Sequence, residues 1–207
     1  LEGSLDFSGA TSIGDSAFEN CSSITEITLS DSVNELGSSA FENCVSLVSV
    51  YGAPNLSIIK DCTFYGCRML QHIPDLSNAI SIGGYAFCNC ASLTTITTSG
   101  SLNSIGSHAF DNCSSLLITP DLTNVASVGD YAFEGCNALS EVGPLNGCAA
   151  FGEGVFSSCE NISKIAIAFK QNLEAFYVSS FFKGTSDPEK YYGASDKRGS
   201  TCYVPLA

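Results

Sequence analysis

The sequence predicts a solenoid in which short parallel strands stack, one strand in each coil of 23 residues. Three observations predict this fold class: a strict 23-residue period, alternation of apolar and polar residues in one half of each unit, and a low charge content. Hydrophobic residues make up 44% of the 207 residues and charged residues only 14%, against about a quarter charged in ordinary globular domains. Ser, Thr, Asn and Gly replace the missing charge, which is typical of a chain with many short turns.

Phenylalanine marks the period. Seven phenylalanines follow one another at intervals of 23 residues, namely Phe18, Phe41, Phe64, Phe87, Phe110, Phe133 and Phe156. A cysteine follows each of them by three residues, and an Ile or Leu follows each cysteine by three more. An apolar residue lies five positions before each phenylalanine, and Gly follows that residue in six of the seven units. Because a 23-residue unit cannot bury its own apolar face, neighbouring units must stack and share one core.

Each unit has two halves of different character. In residues 25–29 apolar and polar residues alternate, which predicts one short strand per coil. In the other half the apolar residues recur at intervals of three to five, which predicts turns, 3₁₀ segments or short helical pieces on the convex side. The strands of successive coils then form a parallel sheet with a spacing of about 4.8 Å.

The array changes near its C-terminal end. We predict that residues 1–170 form seven coils and that residues 171–207 form a degenerate eighth coil and a C-terminal cap. Phe181 follows Phe176 at the usual interval of five residues, but two positions late in phase. Residues 202–205 predict an edge strand ended by proline. An atypical end unit is expected in a solenoid, because the last coil has to cover the exposed core.

The charge balance excludes some classes of partner. Eight Lys and Arg against 21 Asp and Glu give a net charge of −13. Such a surface repels phosphate backbones and anionic membranes, so we expect no nucleic-acid partner. The sequence has no apolar run of about 18 residues or more, so it predicts no membrane span.

Eleven cysteines could form a disulfide framework or a buried column of thiols. Seven of them share one phase of the repeat: Cys21, Cys44, Cys67, Cys90, Cys113, Cys136 and Cys159. Parallel side chains about 4.8 Å apart do not converge as a disulfide or a tetrahedral metal site requires. We therefore predict that this column is buried and reduced. A disulfide between Cys62 and Cys88 stays open, as does the state of Cys148 and Cys202.

No catalytic or cofactor-binding motif is present. His72 lies on the outward phase of a predicted strand without a nearby Ser or Cys partner for a catalytic triad, and His108 is expected to be solvated in the turn half. Phosphate-binding glycine loops, zinc-protease motifs and calcium loops are absent from the sequence. We expect a protein that is not an enzyme, with no catalytic residue, no cofactor and no metal.

The pattern Ile-Gly-x-x-Ala-Phe-x-x-Cys-x-x-Leu-x-x-Ile, as in residues 82–96, resembles the BspA-like leucine-rich repeats. The resemblance extends from Phe7 to about Ile167 and implies a leucine-rich-repeat solenoid. It also implies an extracellular or cell-surface protein of bacteria or parasitic protists, several of which are adhesins. The expected partner is then a protein, such as a host extracellular-matrix or cell-surface protein, and the chain is expected to be monomeric. The alternative is a structural spacer of a larger surface protein, with no ligand of its own.

The outward-facing side chains of the predicted strands form a continuous surface, which is the usual recognition face of a solenoid. We predict that Tyr51, His72, Thr95, Thr97 and Ile118 on this surface form the partner-binding site. They belong to two columns of equal phase. One column is Glu26, Ser49, His72, Thr95, Ile118, Glu141 and Lys164, and the other is Thr28, Tyr51, Pro74, Thr97, Pro120, Gly143 and Ala166.

Overall fold

The computed structural model describes Phe7, residues 9–145, Cys148, and residues 150–162, 164–167 and 202–203. Over these residues the chain winds in stacked coils whose strands pair in parallel at a spacing of 23 residues, as between Ser104 and Ser127. The predicted solenoid is therefore confirmed. The half predicted to form turns, 3₁₀ segments or short helical pieces contains turns and short strands, and no helical piece occurs in the described segments. No helix that could cross a membrane is found there either.

Every strand is short, between two and four residues. In chain order the strands are β1 (Ser12–Ile13), β2 (Glu26–Thr28), β3 (Glu35–Leu36), β4 (Ser49–Tyr51), β5 (Ile58–Ile59), β6 (Ser81–Ile82), β7 (Ser104–Ile105), β8 (Ser127–Val128), β9 (Glu141–Val142), β10 (Ala150–Phe151), β11 (Lys164–Ile167) and β12 (Cys202–Tyr203). They occupy two phases of the coil, whereas the sequence predicts only one. The coil thus has a strand on each of two sides.

The longer sheet lies in the half that the sequence assigns to turns. It contains seven parallel strands in the order β1-β3-β5-β6-β7-β8-β10. In β1 to β8 of this sheet, a residue with exposed surface precedes a buried apolar one, as Ser104 precedes Ile105. A strand of two residues is too short to show alternation in the sequence, so the alternation of apolar and polar residues did not predict this sheet.

Glycine lets the coils approach closely just after this sheet. A Cβ atom at Gly106 would lie 2.5 Å from the backbone nitrogen of Gly84, and one at Gly129 would lie 2.4 Å from that of Ser107. Both distances are far inside van der Waals contact, so no side chain fits at either position. The packing of one coil on the next therefore requires glycine at Gly37, Gly83, Gly106, Gly129 and Gly152. It does not at Gly14 in the first coil, which has open space around it, nor in the coil where Lys60 stands at this phase.

The strands predicted from the alternating half form a second, broken sheet. At one end β2 and β4 pair in parallel over three residues. At the other end β9, β11 and β12 form a three-stranded sheet with β12 antiparallel to β11 at its edge. The predicted edge strand is thus present at Cys202–Tyr203, whereas the remainder of the predicted end coil and cap, residues 171–201 and 204–207, lies outside the described residues. Between the two ends, isolated parallel bridges join neighbouring coils, and they pair Ser49 with His72, Leu76 with Thr98, and Ile118 with Glu141.

A left-handed backbone at two positions per coil keeps the turn half from becoming a helix. One position lies two residues before the phenylalanine, as at Tyr85 (φ 56°), and the other two residues after it, as at Asn89 (φ 63°). Asn and Gly prevail at the second position because they tolerate this conformation best. Alternate N–H groups then point to the next coil, so that the Phe87 N–H donates to the Ala109 carbonyl at 2.8 Å.

The core is a stack of phenylalanine rings. From Phe18 to Phe156 successive ring centroids lie 5.0–5.5 Å apart, and the ring planes are nearly parallel. Six of the seven side chains are completely buried, and Phe18 in the first coil is half-buried. Each buried ring contributes about 1.5–3 kcal/mol by removal of apolar surface from water, so the stack helps to hold neighbouring coils together along with the buried Leu, Ile and Val side chains.

The in-phase cysteines form the predicted buried column, and they also make hydrogen bonds. Six of the seven are buried free thiols, and Cys21 in the first coil is half-exposed. Each buried thiol donates to the carbonyl of the phenylalanine one coil earlier, at 3.0–3.2 Å, as Cys90 does to Phe64. Cys62 and Cys88 are also free, so the disulfide that the sequence left open is not formed.

Candidate functional site

The five residues of the predicted binding site are all exposed on one side of the solenoid. Tyr51 ends β4, and His72 lies in the next coil, where a backbone bridge joins it to Ser49. Thr95 and Thr97 follow one coil later, and Ile118 one coil after that. Tyr51 and Ile118 expose 44% and 42% of their surface, which is high for large apolar groups. We call this side of the solenoid the strand face. It carries β2 and β4 and, in the following coils, the exposed side chains of His72, Thr95, Thr97 and Ile118.

Three members of the two predicted outward columns are buried instead, namely Ser49, Pro74 and Pro120. Ser49 is a small residue between the larger Glu26 and His72 in the ladder, and these neighbours cover it. At the two prolines the chain leaves the strand conformation, because proline cannot donate to the ladder. Side chains alternate strictly between faces only within a regular strand. The side chains of Lys164 and Ala166 lie outside the described structure.

An open depression of about 270 Å³ lies on the strand face. Four of the five predicted residues line it, and Ile118 does not. The complete lining is Tyr51, Gln71, His72, Ile73, Pro74, Asp75, Leu76, Thr95 and Thr97. The sequence predicted that these four residues share one face, but it indicated neither a depression nor a contribution of Gln71 and Asp75 to it.

The depression coincides with a break in the backbone ladder. On one side of it, the Val50 N–H donates to the His72 carbonyl at 2.9 Å and so joins two coils. On the other side, in the part of the chain that the structure describes, no backbone hydrogen bond joins residues 71–73 to residues 94–96. Pro74, which lacks an N–H group, follows this break directly. The two coils are thus not joined by backbone hydrogen bonds at this depression.

The lining residues combine an aromatic surface with polar groups. The rings of Tyr51 and His72 stack at a centroid distance of 6.2 Å and an angle of 22°. Asp75 accepts a hydrogen bond from the Ser77 N–H at 2.8 Å through one carboxylate oxygen, Oδ1. The hydroxyl groups of Thr95 and Thr97 complete the set. A carboxylate beside an aromatic ring is suited to a cationic side chain, through charge-assisted hydrogen bonds and a cation–π contact.

A second depression, of about 480 Å³, lies on the seven-stranded sheet. About half of its lining is Ser and Gly; Ile58 is its large exposed apolar side chain, and Lys60 and Asp61 are its charged ones. The recurrent serine before the apolar residue, as at Ser81 and Ser104, is the signal from which the sequence could have indicated this surface. Small side chains provide few anchors for binding, because hot spots are mainly Trp, Tyr and Arg. We therefore place the candidate site on the strand face.

His108 is only partly solvated, whereas the sequence suggests a fully solvated side chain. Its ring is packed between Tyr85, at a centroid distance of 4.7 Å, and Tyr131, at 5.3 Å. Its Nδ1 lies 2.9 Å from Oδ2 of Asp111, within hydrogen-bonding distance. Tyr85 and Tyr131 lie exactly one period before and after His108, so the 23-residue period itself contains the signal for this stack.

The match to a family agrees with this architecture. The model of the BspA type leucine rich repeat region matches residues 4–119 and 117–187, in 6 copies. The chain therefore belongs to the BspA type leucine-rich repeat family, and the resemblance seen in the repeat pattern is confirmed. No curated protein matches the chain.

Solved structures of bacterial leucine-rich repeat proteins are similar to this chain. A leucine rich cell surface protein from Faecalibacterium prausnitzii is 30% identical, with a TM-score of 0.70, over 77% of this chain and 45% of its own. A leucine rich repeat protein from T. pallidum is 31% identical, with a TM-score of 0.67, over 73% of this chain and 71% of its own. One from Bacteroides ovatus, 24% identical over 76% of this chain and 58% of its own, shares the fold, with a TM-score of 0.52. The chain spans less than half the length of the first of these proteins.

Proposed function

We propose that this chain is a binding module of a secreted or cell-surface protein, and that it makes adhesive protein–protein contacts through the strand face. The observation that carries the proposal is the depression lined by Tyr51, His72, Thr95 and Thr97. Membership of the BspA type family supports it, as does the cell-surface description of the protein from Faecalibacterium prausnitzii. The partner we propose is a host extracellular-matrix or cell-surface protein.

The charge of the chain favours a basic surface on this partner. The net charge of −13 attracts cationic groups over the whole molecule. Within the depression, Asp75 and the ring of Tyr51 can both contact a Lys or Arg side chain. Because opposite charges steer association, binding should weaken as the salt concentration rises and shortens the Debye length.

The contact area extends beyond the depression. Leu117 and Ile118, which are 50% and 42% exposed, provide apolar surface one coil further along. Few large anchors are present on this face, and a standard protein–protein interface buries about 1,200–2,000 Å². We therefore propose a weak contact for one chain, which repetition of the module in a longer protein would strengthen through multivalency.

Surface plasmon resonance on immobilised extracellular-matrix proteins, both basic and acidic, tests this function. We expect saturable binding to basic proteins that weakens with salt. The triple change Tyr51→Ala, His72→Ala and Ile118→Ser should weaken that binding at least about tenfold, a loss of about 1.4 kcal/mol. All three side chains are exposed, so thermal stability should change little.

The matched control replaces equally exposed apolar residues elsewhere. Ile58 and Ile80 expose 46% and 47% of their surface and lie in or beside the seven-stranded sheet. The double change Ile58→Ser and Ile80→Ser should leave binding unchanged. Loss of binding in this control, with full binding in the triple variant, would place the contact on the other sheet. Absence of saturable binding to every protein tested would favour a structural spacer.

A further inference from the structure

Three metal-ligating side chains converge in the turn half of two adjacent coils, away from the strand face. They are His108, Asp111 and Glu134, and one ligand atom of each lies within 4.8 Å of those of the other two. All three side chains are partly buried. Such a group differs from the acidic residues scattered over the rest of the surface, because it includes an imidazole nitrogen together with two carboxylates.

The repeat explains why these residues meet. Asp111 directly follows Phe110, and Glu134 directly follows Phe133, so the two carboxylates have the same phase in adjacent coils. Coil spacing then brings them close together, at about 4.8 Å between backbones. His108 lies three residues before Asp111 and has a left-handed backbone, with a φ of 56°. The turn between them returns the imidazole to the carboxylate, as the 2.9 Å contact shows.

The imidazole is held in place without any ligand. Tyr85 and Tyr131 stack on its two faces, with interplanar angles of 7° and 17°. Its Nδ1 contacts Oδ2 of Asp111 at 2.9 Å. A metal-binding side chain that is already oriented loses little conformational entropy when it binds an ion.

One carboxylate oxygen of the group is unsatisfied. Oδ1 of Asp111 is buried and accepts no hydrogen bond from the described residues. A buried acceptor without a partner costs free energy, and the cost is larger for a charged group. Within the same described residues, no Lys or Arg forms an ion pair with Asp111 or Glu134. A cation at this position would satisfy the oxygen and balance both carboxylates.

We propose that His108, Asp111 and Glu134 form a binding site for one divalent transition-metal ion, with Zn²⁺ as the best fit. One nitrogen and two oxygen ligands suit Zn²⁺, with water at the open position, whereas Ca²⁺ and Mg²⁺ require ligand sets made of oxygen. The ion would link the coil of His108 and Asp111 to the coil of Glu134. The site is independent of the proposed protein binding, and the sequence alone predicts no metal here.

Titration of the whole chain with Zn²⁺ in a calorimeter tests the proposal. The thiols of the partly exposed Cys21, Cys62 and Cys148 are first alkylated in the native protein, so that they do not bind the ion. We expect one Zn²⁺ per chain and a rise in the melting temperature with Zn²⁺, because an ion that binds only the folded state stabilises it. Neither Ca²⁺ nor Mg²⁺ should have this effect at the same concentration.

Variants locate the site. Glu134→Gln and His108→Asn should each lower the Zn²⁺ affinity at least about tenfold, the scale expected when a group that supports a metal is removed. The control is Glu42→Gln, because Glu42 has the same phase and the same partial burial as Glu134 but no histidine beside it. Its affinity should equal that of the unchanged chain. The proposal would be overturned if the unchanged chain did not bind one Zn²⁺. It would also be overturned if Glu42→Gln and Glu134→Gln lost equal Zn²⁺ affinity. The first of these results does not depend on whether a variant folds.

Discussion

At the residue scale, the stacked phenylalanines predict where the array is most sensitive to mutation. Phe87 contacts a ring on each side and is fully buried, whereas Phe18 is half-buried and closes the described stack against Phe7. Phe87→Ala should lower the free energy of unfolding by about 3–5 kcal/mol, as other buried aromatic truncations do. Phe18→Ala should cost less, because its cavity opens to solvent. Urea unfolding measures both, and equal costs would contradict the stacked core.

The buried thiols predict an alkaline limit to stability. Burial raises the pKa of Cys44 from the ordinary value of 9.0 to about 11, and it raises the pKa of Cys90 well above 9.0. A raised folded-state pKa means that the thiol stabilises the fold fully below about pH 9 and that this stabilisation is lost as the pH rises. Each such thiol then removes about 1.4 kcal/mol per pH unit between its unfolded and folded pKa.

Urea unfolding in a reducing buffer tests this limit. The midpoint should stay constant between about pH 7 and 8 and fall steeply from about pH 9 to 11. In Cys90→Ala the fall should be shallower, since one titrating thiol is missing. That variant should also lose about 1 kcal/mol at neutral pH, because the hydrogen bond from Cys90 to the Phe64 carbonyl at 3.2 Å is lost. A midpoint that does not change up to pH 11 would contradict the buried, neutral column.

At the scale of the element, the seven-stranded sheet depends on close contact between coils, and two glycines test this. A Cβ at Gly106 would meet backbone atoms of Gly83 and Gly84 at 2.5–2.9 Å, so Gly106→Ala should destabilise the fold by about 1–3 kcal/mol or more. A Cβ at Gly84 meets nothing nearer than 3.4 Å, so Gly84→Ala should be tolerated. Thermal melting of both variants checks the difference. A larger loss of stability in Gly84→Ala than in Gly106→Ala would contradict the close contact between coils at Gly106.

Which elements the sequence could predict depended on their length. Residues 25–29 contain enough alternation to indicate β2, and the period of the repeat then places the equivalent segment in every coil. The pairs that form the longer sheet, such as Ser104–Ile105, contain one inward and one outward residue, and two residues show no period. Nor could propensity show all the left-handed residues in the turn half, because tyrosine, which occupies this position as Tyr85 and Tyr131, rarely adopts that conformation.

At the scale of the whole molecule, the strand face could be predicted only where its residues keep the phase of the 23-residue repeat. Phase placed Tyr51, His72, Thr95 and Thr97 in neighbouring coils, and the structure brings them around one depression. Asp75 could not be predicted to line it, because the chain leaves the strand at Pro74 and the phase rule ends there. The convergence of His108 and Glu134 depends on a turn conformation that the sequence does not reveal.

The central claim of this account is that the 23-residue coil is the structural unit and that its phase positions the core and both faces. Deletion of residues 83–105 tests it most directly, because the deletion joins Ile82 to Gly106 and keeps the phase. Gly106 would then pack on Lys60 and Asp61 as Gly83 now does. Residues 83–101 are deleted in the control, which breaks the phase of every later coil.

Far-UV circular dichroism during urea unfolding is the measurement. The in-phase deletion should fold and unfold in one cooperative transition at a lower midpoint, since a solenoid loses stability roughly by one repeat and one interface at a time. The out-of-phase deletion should not fold. The claim would be contradicted by an in-phase variant without a cooperative transition, or by an out-of-phase variant as stable as the in-phase one.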